Sequence, residues 1–339
     1  MVNPVSLRRR ALALGGGGGM LLALAGCAAV EEAQRAPGPA PAADPSRLLT
    51  PWLSLAGGWR VEAQQFPQVA RPTGARVNFV QPTGVAARND TLLVTDPGAR
   101  TIWRMERAQD AVSPFAPYTG GVPDHGGSLQ LGNDFNAWVA LPAEHAVVQY
   151  DARGRLVRRW MDPTEAPRPV AVAVPEDRSE ILVGDGASAR VVVFDPLGRA
   201  LRVLGGRNPA VLQSLTAMAL GPRGLYVLDR LGQQVLVLDP RGLPVEVIGE
   251  NQLVQPRALA VDRSGRVFVS DDAEQRIKVF RGNRLLASAG GFGNGPGRFG
   301  RIESLAIDGN LLYVADSLNA RVHVMMVAPA TLEEPGTAR

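Results

Sequence analysis

The chain has 339 residues, of which 45% are hydrophobic and 5% aromatic, with 36 Lys and Arg against 32 Asp and Glu. Its single cysteine excludes a disulfide within the chain. No run of clustered cations marks a nucleic-acid-binding face, so we expect no nucleic-acid partner.

The first 26 residues have the parts of a secretory signal peptide. Arg8, Arg9 and Arg10 form a basic region, and residues 11–24 form an apolar, glycine-rich segment too short to span a bilayer as a mature helix. Removing the segment leaves 33 basic against 32 acidic residues, a net charge of +1. Both the general secretory and the twin-arginine export routes stay open.

A lipobox is predicted where this segment ends. Leu24-Ala25-Gly26-Cys27 has the form at which bacterial lipoproteins are cleaved and acylated on the cysteine. Each methylene that a palmitoyl or similar chain buries contributes about 0.8 kcal/mol, so an acylated Cys27 is expected to hold the chain at a membrane. Ala28 favours the outer membrane in a Gram-negative cell, with the domain facing the periplasm. Residues 27–50, rich in Ala and Pro, are predicted to form a tether.

An aspartate then closes a short apolar run again and again, at intervals of about 44 residues. These aspartates are Asp96, Asp185, Asp229, Asp271 and Asp316. The first interval is twice as long as the others, and its midpoint falls at Leu141, so one unit has lost the aspartate. A period in this range is typical of propellers and solenoids.

Each unit contains four short strand patterns separated by turn residues, which predicts a propeller blade. The first pattern is rich in Gly and Ala, as expected for inner strands that converge on an axis. The second is the apolar run that ends in Asp, the third opens with Arg190, Arg276 or Arg321 in three units, and the fourth ends in glycine. We therefore predict an all-β, six-bladed β-propeller of four-stranded antiparallel blades over residues 51–327.

The last unit has no fourth strand after Met326. An open edge would leave backbone groups unpaired, so we expect an N-terminal segment, Trp59 to Gln64 or its neighbourhood, to close the ring. Residues 328–339 are predicted to be a disordered tail.

Three motifs give the repeat a resemblance to a known family. They are Pro-Xaa-Gly-φ-Ala, φ-Val-Xaa-Asp and Arg-φ-Xaa-φ-Phe, where φ is apolar, and together they resemble the NHL repeat of six-bladed propellers. The resemblance covers residues 77–327 and is best in blades five and six, whereas blade two, residues 124–161, is degenerate. It implies binding of proteins or small ligands through the propeller faces.

The repeated Asp and Arg are interpreted as structural, because a residue present once per blade serves contacts between neighbours. The carboxylates are expected to accept turn amides and the arginines to pair across a connection or to a neighbouring blade. The three histidines, His125, His145 and His323, raise the alternative of a zinc site, as in amidating lyases that share the NHL fold. The repeat places them too far apart to share an ion at about 2.0–2.1 Å per ligand. We predict no catalytic residue, no metal and no cofactor.

Function is expected where the blades differ, at the mouth of the central channel. The candidate ligand-binding residues there are Thr83, His125, Thr216, Arg257 and Glu303. The alternative is that Arg257 and Glu303 only pair with each other. The sequence thus predicts a lipid-anchored binding or scaffold module for a protein, peptide or small ligand. A metal-dependent propeller lyase or hydrolase and a purely structural envelope component remain as alternatives.

Overall fold

A computed structural model describes residues 47–61, 74–122, 128–205 and 212–330. The signal segment, Cys27, His125 and residues 331–339 of the predicted tail lie outside these ranges. The described part contains no α-helix of the length and hydropathy needed to cross a bilayer. It begins with three strands, β1 (Leu49–Leu55), β2 (Gly57–Arg60) and β3 (Arg76–Asn78).

Twenty-three further strands follow in the described residues and form the blades in chain order. Blade one contains β4 (Gly84–Arg88), β5 (Thr91–Asp96), β6 (Thr101–Glu106) and β7 (Ala111–Pro117). Blade two contains β8 (Leu129–Leu131), β9 (Ala137–Leu141), β10 (Ala146–Tyr150) and β11 (Leu156–Trp160). Blade three contains β12 (Pro169–Ala173), β13 (Ile181–Asp185), β14 (Arg190–Phe194) and β15 (Ala200–Leu204). Blade four contains β16 (Ala217–Gly221), β17 (Gly224–Asp229), β18 (Gln234–Leu238) and β19 (Pro244–Ile248).

Blade five contains β20 (Pro256–Val261), β21 (Val267–Asp271), β22 (Arg276–Arg281) and β23 (Arg284–Gly290). Blade six contains β24 (Ile302–Asp308), β25 (Leu311–Asp316) and β26 (Arg321–Val327), and β1 is its fourth strand. Neighbouring strands within the blades are antiparallel. The predicted all-β, six-bladed propeller is confirmed.

An N-terminal strand closes the ring, as predicted, but it is β1 and not the segment that begins at Trp59, which pairs with blade one. β1 pairs antiparallel with β26, with Leu49 opposite Val327 and Leu55 opposite Val322. Beyond β1 the chain turns at Gly57, where φ is +135° and a Cβ would lie 1.9 Å from the carbonyl oxygen of Val77. This glycine lets the chain leave blade six and carry Trp59 into the next sheet.

Blade one is consequently extended to six strands. β2 pairs parallel with β7, the outer strand of the blade, and antiparallel with β3, which gives the order β3-β2-β7-β6-β5-β4. The sequence did not predict this extension. It covers the outer edge of blade one, whereas blades two to five end in β11, β15, β19 and β23.

Each interface between adjacent blades has its own apolar core. The described residues form six buried clusters, and every cluster combines side chains of two neighbouring blades, including blade six with blade one. Phe268 and Phe280 of blade five, for example, are fully buried on opposite sides of the same sheet. Burying such a side chain contributes about 1.5–3 kcal/mol, so ring closure adds a whole interface to the core.

Candidate functional site

The inner strands of all six blades, β4, β8, β12, β16, β20 and β24, surround a central cavity of about 580 Å³. The two ends of this cavity differ in exposure. At the buried end the inner strands begin, and Thr83, Thr216, Arg257 and Glu303 are all at least 95% buried. At the exposed end the inner strands finish in tight turns, where Arg88 and Asp308 are half-buried and Glu176 and Arg263 are exposed.

Three of the predicted ligand-binding residues, Thr216, Arg257 and Glu303, line this cavity. The hydroxyl of Thr216 donates to the carbonyl of Leu228 at 3.4 Å. Thr83 lies at the start of β4, and its hydroxyl is 3.2 Å from that of Thr95. His125 is outside the described residues.

Arg257 and Glu303 are the centre of a buried charge cluster. Arg257 Nη1 donates to Glu303 Oε2 at 3.2 Å, and Arg257 Nε donates to Asp272. Glu303 Oε1 is 3.0 Å from Arg301 Nε and accepts from Ser317 Oγ at 3.4 Å. Burial raises the pKa of Glu303 above its usual value, and this effect outweighs the nearby guanidinium groups of Arg257 and Arg301. The pairing between adjacent blades thus occupies both side chains.

Polar side chains farther along the channel bridge neighbouring inner strands. Ser128 Oγ accepts from the Val172 amide at 2.9 Å, and Ser304 Oγ accepts from the Val85 amide at 3.4 Å. The Gln130 amide makes two bonds with the backbone of Val174, both at 2.7 Å. Inner strands are the channel-side edges of their sheets, so these side chains satisfy backbone groups that would otherwise be unpaired.

The repeated aspartates all bind the connection that enters the inner strand of their own blade. Asp96 accepts from the amides of Val80 and Gln81, both at 2.8 Å. Asp185, Asp229, Asp271 and Asp316 accept equivalent amides 15 to 17 residues upstream. Each carboxylate thus accepts hydrogen bonds from this connection and fixes it at the start of the inner strand.

The three repeated arginines differ in their contacts. Arg190 donates to the carbonyl of Glu165 at 2.8 Å, and Arg321 donates to Asp316 at 3.1 Å and to the carbonyls of Asn294 and Arg298, both at 2.7 Å. Arg276 is half-buried opposite Asp271 in the strand register. Arg190 and Arg321 therefore anchor the connections between blades.

Two histidines are described, and they lie in different environments. His145 follows β9 and is exposed, with Nδ1 beside the carbonyl of Pro167. His323 is buried in β26, where Nε2 accepts from the Gly297 amide at 3.1 Å and the ring contacts Phe299 edge-on. Across residues 47–61, 74–122, 128–205 and 212–330, no three His, Cys, Asp or Glu side chains are grouped so that they could hold a metal ion.

Solved structures that share this fold include virginiamycin B lyase from Staphylococcus aureus, with a TM-score of 0.53 at 10% identity over 74% of this chain and 96% of that one. A protein of unknown function from Bacteroides thetaiotaomicron has a TM-score of 0.57 at 14% identity, over 83% of this chain and 76% of that one. Hydrazine synthase from Kuenenia stuttgartiensis has a TM-score of 0.53 at 11% identity, over 77% of this chain and 99% of that one. The sequence matches no protein-family model and no curated protein. Such distant likeness shows the six-bladed β-propeller fold alone.

Sequence reasoning missed the channel residues that no repeat position marks. Gln130 and Ser304 lie on inner strands and Ser128 directly precedes one, and their bonds to a neighbouring blade depend on the distance between strands that are remote in sequence. Arg88 lies at the end of its inner strand, whereas the predicted site residues lie at or near the start. A polar residue among the small and apolar residues of an inner strand is the signal that identifies such positions.

Proposed function

We propose that this protein is a binding module, a lipid-anchored NHL-type propeller that holds a small ligand or a segment of a partner protein at the mouth of its central channel. The observation that carries the proposal is the cavity of about 580 Å³ on the propeller axis. Cavities of about 300–1,000 Å³ are typical of sites for small ligands. The lining combines apolar groups such as Met218 with a few polar ones such as Thr216, the mixture that binding sites use for affinity and orientation.

The membrane anchor is part of the proposal and rests on the lipobox at Cys27. β26 runs from the buried end to the exposed end, and Leu49 pairs with Val327, so the chain enters the propeller at the exposed end. The predicted tether of roughly 20 residues between Cys27 and β1 is long enough to leave space for a ligand between a bilayer and this end. We place the domain on the periplasmic side of the outer membrane.

A channel-filling substitution tests the binding site. Ala219 is half-buried in β16 and lines the cavity, so Ala219→Phe should occupy part of its volume. Ala287, half-buried in the outer strand β23, provides the matched control Ala287→Phe. Thermal-shift screening of small molecules and peptides should identify ligands that stabilise the wild type and Ala287→Phe but not Ala219→Phe. A ligand that stabilises all three equally does not use the channel.

Fractionation tests the anchor separately. Cys27→Ser should move the protein from the membrane fraction to the soluble fraction, and mass spectrometry of the wild type should find acyl chains on the N-terminal cysteine. A protein that stays in the membrane fraction after Cys27→Ser contradicts the lipid anchor and leaves the channel proposal standing.

A further inference from the structure

A second, smaller cavity of about 220 Å³ lies at the exposed end of the propeller, between blades one, two and three. Arg88 and Glu176 line both this cavity and the central one, so the two spaces meet at these side chains. The smaller cavity also has apolar walls, including Leu131, Val174 and Pro175.

Arg88 has no hydrogen-bonded or ionic partner among the described residues, and its Nε is fully buried. Two other arginines near this end are paired, since Arg178 contacts Asp134 and Arg107 lies 3.2 Å from Asp90, whereas Arg263 is exposed to solvent. The Arg88 side chain as a whole is half-buried and lines both cavities, so its terminal guanidinium nitrogens are available to a ligand there.

The acidic groups around Arg88 are engaged elsewhere. Asp308 accepts the amide of Asn89, the residue next to Arg88. Asp90 accepts the Ala108 amide at 2.7 Å in addition to pairing with Arg107. Asp134 and Asp262, which also line the two cavities, pair with Arg178 and Arg266. Glu176 is exposed to solvent. The turn that carries Arg88 is thus fixed by neighbouring groups while the guanidinium itself is left to a ligand.

We propose that Arg88 anchors the carboxylate of a small monocarboxylic acid whose apolar body lies against Leu131, Val174 and Pro175. The proposal rests on the proposed function, since it names the class of ligand for the channel. The planar guanidinium matches a carboxylate in a two-bonded geometry. Asp134 is paired with Arg178, but the unpaired carboxylate of Glu176 repels a doubly charged phosphate more strongly than a singly charged carboxylate, which favours the latter.

The test measures binding of hexanoate and benzoate to the full chain in detergent by calorimetry, with hexanamide, benzamide and inorganic phosphate as comparison probes. The acids should bind at least about tenfold more tightly than their amides, since the two differ by a charge-assisted hydrogen bond. Arg88→Met should remove this preference, and Arg88→Lys should retain part of it. Arg100, exposed on the opposite face of blade one, provides the control Arg100→Met, which should bind like the wild type.

The outcomes separate this inference from the proposed function. Equal binding of acid and amide by the wild type, tighter binding of phosphate, or an unchanged preference in Arg88→Met would overturn the carboxylate anchor. If Ala219→Phe still abolishes binding in that case, the channel remains the site and only the anchor is wrong. If Arg88→Met removes the preference while Ala219→Phe has no effect, the anchor holds and the channel proposal fails. Melting curves of each variant show that it is folded, and Arg88→Lys replaces Arg88→Met if the latter is not.

Discussion

The two ends of the channel differ in whether their arginine has an acidic partner. At the buried end Arg257 contacts both Asp272 and Glu303, and at the exposed end Arg88 contacts no acidic group among the described residues. The difference follows from how the blades are connected. Longer connections enter the inner strands at the buried end, and Asp96 and its equivalents bind their amides there, so polar groups are used by the fold.

At the exposed end, by contrast, tight turns such as Asn89-Asp90 and Gly309-Asn310 join the inner strand to the next. Such turns are short and cover little of the axis, which leaves the ends of the inner strands accessible. In this repeat, the end with few structural demands is the one with charges available for a ligand. On a repeat scaffold, we expect binding sites where side chains are not already used in contacts between adjacent repeats.

The largest effect on stability is expected when the ring is opened, because this disrupts both ends of the channel. Deleting residues 49–55 removes β1, exposes the edge of β26 and breaks the core that joins blade six to blade one. We expect loss of the cooperative thermal transition measured by circular dichroism, because an open edge and an exposed core favour partial unfolding and association. Truncation after residue 330, beyond the last described contact, is the control. A deletion variant that melts like the wild type would show that β1 does not hold the ring closed.

A large but local effect is expected at the buried end. Arg257→Met leaves Glu303 and Asp272 without their shared partner, and removing one member of a buried pair costs about 3–5 kcal/mol. Urea denaturation at pH 7 should show this loss. Arg88→Met is the matched control at the exposed end, and it should change the free energy of unfolding by less than about 1 kcal/mol because no pair is broken.

The same pair of variants can contradict the comparison. Similar losses in the free energy of unfolding for Arg257→Met and Arg88→Met would mean that Arg88 also stabilises the fold. The proposed difference between the two ends would then be wrong. Adding Glu303→Gln to Arg257→Met should recover part of the loss, since the uncompensated carboxylate is then neutral. A double variant that loses the sum of the two single losses would show that the two side chains are not coupled.

The sequence predicts the repeating parts of this molecule well. The spacing of Asp96, Asp185 and their equivalents gives the number of blades, because each blade must supply the same strand edges to its neighbours. The closing strand was placed too late, at Trp59 instead of Leu49, because both segments have the apolar pattern of a strand. Only the turn at Gly57 decides which of them reaches β26.

The candidate site was harder to predict than the fold. Arg257 and Glu303 are far apart in sequence, and their position at the channel follows from the repeat register alone. Whether a side chain pairs with a residue of the neighbouring blade depends on distances between residues that are far apart in sequence. Local sequence patterns do not show these distances. Arg88 and Arg257 lie at opposite ends of their inner strands, and residue type alone does not show which of the two has an acidic partner.

The smallest expected effect is a pH dependence of the free energy of unfolding, caused by His323 near the buried end. Burial lowers the pKa of His323 to about 4, with a further lowering by Arg321 that Asp316 partly opposes. Between this value and the ordinary pKa of 6.5, the unfolded chain binds more protons at this position than the folded protein. The contribution of His323 to stability is therefore present above pH 6.5 and is lost as the pH falls towards about 4, by at most about 3 kcal/mol.

His323→Gln removes the titrating ring and keeps an acceptor for the Gly297 amide, so its free energy of unfolding should depend less steeply on pH between about 4 and 6.5 than that of the wild type. Urea denaturation across this range measures the slope. His145, exposed in the connection after β9, provides the control, and His145→Gln should follow the wild-type profile. Identical slopes for His323→Gln and the wild type would mean that the ring is protonated in the folded protein. The glycine-rich connection over the buried end would then be held by Arg321 and Asp316 without the imidazole acceptor.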